Sequence, residues 1–486
     1  MAVKELEKIV GGENIVETTE ELEQFSKDMS FVARVRPKSV VKVKTADEIQ
    51  QLIKWANEAK TPLVPVSSGP PHFRGDTVPG TGGAVIVDLS GMKRIIRVDA
   101  RNRVAMVEPG VNFIELIPIL AREGLRLNLP LLPRKTKSVV ASMLDREPVI
   151  MPLFQWDIQD PLTCIEVVFG SGDLFRTGSA AGPGTLEQQW AAKQAQVNPM
   201  GPGQTDIARI VQGSQGTMGI VTWATVRCEK IPKMQKPFII GAAEPEKLIE
   251  LVYRMLWLKI VDECIIVNGT ALAAMVTTSP EQYSRLKNNL PRWILFFCLA
   301  GYDYFPAERV VFQEKEMMEA AQHIGIEPGS SLAGISAFEM LKLLAQPSDD
   351  PHWKLRQKGA CQDIFFQTTM DKVPKFTDIM FDAAGKHGYY NSDIGIYIQP
   401  LVQGTSCHVE FELLYNPAEA KESAKIKEIE IRSAEALMSA GAFFSRPYGA
   451  ICDLAYRRDA ETTAALRKVK RIFDPNNIMN SGKLCF

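Results

Sequence analysis

Apolar positions along the chain follow two interleaved rhythms, and each predicts its own kind of element. Residues 39–44 alternate as a strand, whereas Ile49, Leu52, Ile53 and Trp55 recur at the helical period and predict a helix to about residue 59. Thr45 and Glu48 have the spacing of a capping box, so the helix start is written in the sequence. A short apolar run at 63–66 predicts the next strand, and three β-rich runs follow at 85–89, 95–99 and 104–108. Asn112 and Glu115 frame a second helix start, whose buried face is Phe113, Leu116, Ile117 and Leu120. Residues 164–169 and 174–178 read as a hairpin, and the Gly-, Pro-, Gln- and Ala-rich residues 179–205 as a long surface excursion.

The rhythm changes near Ile231 and Pro232. Strands at 238–241, 293–300 and 364–369 each lead to a helix, at 245–258, 307–323 and 373–386. Residues 393–400 and 406–415 form a hairpin, and a charged amphipathic helix spans 418–440. This half predicts an α+β arrangement, an antiparallel sheet covered by helices on one face.

Composition narrows the function classes. With 486 residues the chain has room for two or three cores. Its 56 Lys and Arg against 57 Asp and Glu give no overall field for nucleic acid or an anionic membrane. No apolar run is long enough to span a bilayer, and the first residues are acidic where a signal peptide needs an apolar core, so the expected location is cytoplasmic. The 8 cysteines show no C-x-x-C pair and the 5 histidines are far apart, so the cysteines read as reduced core residues and no metal site is expected.

Two glycine-bearing turns carry the candidate chemistry. The run at 63–66 enters Ser67, Ser68, Gly69, Pro70, Pro71 and His72, small and φ-restricted residues that let a main chain approach a phosphate closely. The two prolines remove two N–H donors, leaving those of Ser68, Gly69, His72 and Phe73. The second turn, with Gly213, Ser214, Gly216, Gly219 and Ile220, feeds another strand. Pro109 and Gly110 end the strand at 104–108, and the chain closes on Phe473, Asp474, Pro475, Asn476, Asn477, Ile478, Met479, Asn480, Ser481, Gly482 and Lys483.

In order and content these motifs resemble the vanillyl-alcohol oxidase and p-cresol methylhydroxylase (PCMH) flavoprotein family, from about Pro37 to the last residue. The resemblance implies a two-part FAD-binding domain of PCMH type with an inserted cap domain. Its expected divisions are a lead-in at 1–36, the FAD domain at 37–235, the cap at 236–440 and a returning segment at 441–486. Residues 138–146 depart from the glycine-rich pattern of many such proteins but resemble the vanillyl-type subgroup in their ending, Leu144, Asp145 and Arg146.

The same resemblance assigns roles. Ser67, Ser68, Gly69, Pro70, Pro71 and His72 would hold the pyrophosphate, and Pro109, Gly110, Gly213, Ser214, Gly216, Gly219, Ile220 and Lys483 would border the FAD. Non-covalent FAD is expected, with a covalent link through His408, or through His72, as the alternative. Asp157 matches the family's acidic residue beside the flavin, with Asp160 as its rival. Arg446 matches a substrate-binding arginine, while Ser445 and Arg74 stand where relatives have tyrosines; the two guanidinium groups would grip a phenolate or a carboxylate.

The implied activity is FAD-dependent hydride abstraction from a small, aromatic or otherwise anionic substrate such as a para-substituted phenol. The alternatives are a flavin-linked 2-hydroxy-acid dehydrogenase and a flavin-carrying electron-transfer subunit. Oxygen, a cytochrome or another redox protein would accept the electrons, and a homodimer or a subunit of a redox complex is the expected assembly.

Overall fold

The computed structural model describes residues 2–153, 160–201 and 206–486. The first sheet runs in the order Ile15–Val16, Ser39–Lys42, Val85–Asp88, Leu63–Val66. Its last three strands are parallel, which demands a crossover, and helix Ala46–Ala59 provides it. The capping box of Thr45 and Glu48 starts that helix, and Lys60 in the left-handed region at φ 50° ends it. Ile49, Leu52 and Ile53 then bury against Leu63, Val85 and Val87. The N-terminal lead-in does more than precede this unit, because Ile15–Val16 pairs antiparallel with Ser39–Lys42 as an edge strand.

The second sheet is antiparallel, in the order Ile95–Asp99, Val104–Val107, Gly219–Lys230, Leu162–Phe169, Leu174–Arg176. Its apolar face lies under helices Phe113–Arg122 and Val139–Leu144, the former begun by the capping box of Asn112 and Glu115. The excursion after residue 178 is more ordered than its composition predicts. Thr185 and Gln188 box the start of helix Leu186–Ala191, and the buried amides of Gln189 and Gln196 bond to each other at 2.9 Å.

The third sheet has six antiparallel strands: Met234–Ala242, Trp293–Gly301, Cys264–Asn268, Ile394–Leu401, Ser406–Tyr415, Ala360–Thr368. One face is buried under helices Glu246–Leu258, Pro306–Ile324, Val373–Lys386 and Ala420–Ser439. The other face is covered as well, by Gly269–Val276 and Ala337–Leu344 and by Leu132, Val149, Ile150 and Met151 from the first half of the chain. Helices therefore lie on both faces, not one. The strands explain it: Ile265 and Val267 are as apolar as Cys264 and Ile266, so both faces need cover. Among the described residues no helix is long and apolar enough to cross a membrane.

Candidate active site

Between the first two sheets and the third lies a cavity of roughly 1570 Å³, part of it open to solvent. Ser67, Ser68, His72 and Arg74 line it from the first loop, Pro109 from below, and Gly213, Ser214, Gly216, Gly219 and Ile220 from the second turn. Gly216 is required where it stands: its φ is +71°, and a Cβ would sit 2.5 Å from Pro65 Cγ, so the second turn packs directly on the strand that feeds the first.

The C-terminal segment fastens both turns together. Asn480 donates through Nδ2 to the carbonyls of Asp76, at 2.9 Å, and Gln215, at 2.7 Å. Lys470 Nζ donates to the Thr217 carbonyl and pairs with buried Asp474, whose carboxylate also accepts from the N–H groups of Ile478, at 3.0 Å, and Met479, at 2.8 Å. Lys483 donates to the Gly75 carbonyl at 2.7 Å. It does not line the cavity and acts on it through the loop.

Other residues expected at the cofactor also brace the loops around it. The Gly69 N–H is committed to the Thr136 carbonyl at 2.9 Å, and the Pro70 carbonyl accepts from Thr136 Oγ1 at 2.8 Å. Gly69, Pro70, Pro71 and Gly110 are absent from the cavity wall. At Gly110 a Cβ would meet the Ser90 carbonyl oxygen at 2.6 Å, so that glycine serves close packing.

Arg74 lines the main cavity and a smaller hollow that also holds Arg446 and Tyr448. The two guanidinium groups share the ring of Phe365, with Arg74 5.2 Å and Arg446 4.7 Å from its centroid. Arg74 is anchored by Glu147 at 3.1 Å. Arg446 is 4 % exposed, donates to the Asp145 carbonyl at 3.3 Å, and has no carboxylate within ion-pair distance among the described residues. Burial and the neighbouring Arg74 push its pKa below the usual arginine range. Ser445 offers its backbone carbonyl to Arg146 at 3.3 Å and lies outside both hollows.

The third sheet contributes an ionic wall that the sequence reading did not assemble. Lys354 pairs with Asp363 at 2.7 Å, with Glu410, and more distantly with Glu412 at 3.9 Å. Burial would raise the Glu410 pKa, but Lys354 and His408 overcome it and hold the carboxyl well below its ordinary value. Asp363 and Glu412 go the other way, raised by burial and by like charge despite Lys354. His408 Nε2 lies 3.0 Å from Glu410 Oε2, and burial keeps the imidazole neutral, its pKa near 4. Glu410, Asp363, Lys354 and Tyr397 face the cavity, whereas His408 stands behind Glu410.

Asp157 lies outside the described residues. Its rival Asp160 is buried and accepts from the Leu162 N–H at 2.9 Å and from Gln212 at 3.0 Å, which fixes the entry to the strand and to the second turn.

Known proteins agree with this architecture. Residues 37–178 match the FAD binding domain family, and residues 449–484 the family of FAD linked oxidases, C-terminal domain. The chain is 28% identical over 258 residues to the 4-cresol dehydrogenase (hydroxylating) flavoprotein subunit of Pseudomonas putida, covering 52% of this chain and 46% of that one. It is 30% identical over 197 residues to the mitochondrial D-lactate dehydrogenase (cytochrome) of Arabidopsis thaliana, covering 40% and 31%. These matches span less than half of each relative's own length. The crystal structure of p-cresol methylhydroxylase with substrate bound superposes with a TM-score of 0.84 at 21% identity, over 99% of this chain and 95% of that one.

The cavity fits the cofactor these families share. Arg134, Lys137 and the loop N–H groups of Ser67, Ser68 and His72 suit a diphosphate, and Leu131, Leu132, Val140, Leu144 and Ile220 suit a flat apolar ring. With an FAD binding domain match and a match to the C-terminal domain of FAD linked oxidases near the two ends of the sequence, the chain is an FAD-binding protein, and along its whole length it has the fold of p-cresol methylhydroxylase.

Proposed function

We propose that the protein abstracts hydride from a small anionic substrate, a para-substituted phenol being the leading class. One observation carries the reading: Arg446 is a buried cation with no carboxylate at ion-pair distance among the described residues, and the neighbouring Arg74 links its hollow to the main cavity. An uncompensated buried charge is costly, and an anionic substrate oxygen would relieve it. FAD, when bound, supplies the hydride acceptor.

The protein's own groups do the rest. Arg446 and Arg74 hold the anionic end, and Phe365, gripped between them, bears on the ring. Glu410, kept ionised by Lys354 and His408, presents a fixed negative charge on the cap side. Asp157 keeps the acid–base or electrostatic role that the family resemblance gives it. The FAD is non-covalent in this reading, because the His408 ring is engaged with Glu410 behind the cavity wall and His72 faces Arg134.

Two arginines also suit a carboxylate, and the D-lactate dehydrogenase relative favours a 2-hydroxy acid as the second reading. The test is anaerobic mixing of the FAD-loaded protein with para-alkylphenols and, separately, with D-2-hydroxy acids. Bleaching of the flavin absorption by phenols alone supports the proposal. Bleaching by hydroxy acids alone replaces it, and bleaching by neither class favours an electron-transfer subunit.

A further inference from the structure

We infer that Arg134 binds the diphosphate of FAD, supplying charge and donors that the first loop lacks. This rests on the assignment of FAD to the cavity. Pro70 and Pro71 have no N–H to give, and that of Gly69 is committed to Thr136. A diphosphate cradled by backbone amides alone would meet a depleted loop here.

The cations on the cavity wall are Arg74, Arg134, Lys137 and Lys354. Three are already paired: Arg74 with Glu147 at 3.1 Å, Lys137 with Asp145 at 2.8 Å, and Lys354 with Asp363 at 2.7 Å. Arg134 has no carboxylate within ion-pair distance among the described residues. It is nonetheless held in place. Its Nε donates to the Gly69 carbonyl at 3.3 Å, Nη2 faces His72 Nδ1 at 3.5 Å, and the guanidinium lies 5.8 Å from the Phe73 ring centroid.

The groups around it leave its charge unspent. Burial and Arg134 itself push the His72 pKa down to about 3, so the imidazole is a neutral acceptor. Burial lowers the Arg134 pKa to about 10, which leaves it charged at neutral pH. Its backbone is braced from the third-sheet side, where the Ser348 N–H bonds the Pro133 carbonyl at 2.8 Å. A planar guanidinium clamped by one edge to the loop keeps its remaining N–H groups for phosphoryl oxygens.

The experiment titrates apoprotein with FAD and with riboflavin, which lacks the diphosphate, in wild type and in Arg134→Gln. The expected result is an FAD Kd raised about tenfold to a hundredfold, an unchanged riboflavin Kd, and a shallower salt dependence for FAD alone. Arg134→Lys, which keeps the charge and loses the fork, should fall between the two, and it serves if the Gln variant does not fold. An unchanged FAD Kd, or equal losses for FAD and riboflavin, overturns the inference. Wild-type protein that binds no FAD overturns instead the cofactor assignment beneath it.

Discussion

Lys354→Met removes the cation shared by Asp363, Glu410 and Glu412 on the cap wall. In the wild-type protein the arrangement is balanced unequally, with Glu410 held ionised while Asp363 and Glu412 are pushed toward the protonated form. Without Lys354 the carboxyl of Glu410, 7 % exposed, must take up a proton as well. Breaking a buried pair from one side costs about 3–5 kcal/mol. The pH dependence gives the sign. In the variant the folded carboxyl pKa lies above its unfolded value, so the native state binds the extra proton and gains stability as pH falls. The deficit relative to wild type should shrink by about 1.4 kcal/mol per pH unit between pH 7.5 and pH 5. Urea unfolding followed by tryptophan fluorescence reads this directly, since the Trp353 ring lies 5.4 Å from Lys354 Nζ. Glu412→Gln, which replaces an acid that burial and like charge push toward its protonated form, should cost no more than about 1 kcal/mol. A Lys354→Met midpoint shift equal at both pH values, or none, would refute the shared-charge account.

Arg446→Ala should lower kcat/KM by about 2–4 kcal/mol, roughly 30- to 1,000-fold, with FAD content unchanged, as steady-state kinetics on the substrate that reduces the flavin will show. Gly216→Ala should cost about 1–3 kcal/mol, since the backbone is at φ +71° and the new Cβ meets Pro65, and thermal unfolding will report it together with a lower fraction of loaded flavin. Acid precipitation of the holoprotein should leave a yellow supernatant and a colourless pellet; a yellow pellet would instead direct peptide mapping to His408 and His72.

The turns were legible because their chemistry is local. Glycine, serine and proline act within a few residues, and the capping boxes at Thr45 and Asn112 sit where their spacing puts them. The ionic wall was not, because antiparallel register assembles it: Asp363 stands opposite Glu412 and Phe365 opposite Glu410, while Lys354 arrives from a short turn of 3₁₀ helix. One signal was present. His408, Glu410 and Glu412 alternate with apolar Val409, Phe411 and Leu413, which marks one polar strand face, and only the fold reveals that this face is buried. Strand Cys264–Asn268 and the helix after it were also unplaced, since a continuous apolar run buried on both sides has no period to read.

The bonds from Asn480 to Asp76 and Gln215 have a consequence in time. A ribosome emits the first loop early and the second turn midway, yet the residue that ties them emerges only after the entire cap. The tie between the two turns is therefore made only after synthesis has passed residue 480, and a nascent chain stalled within the third sheet would carry both turns without the bonds that join them.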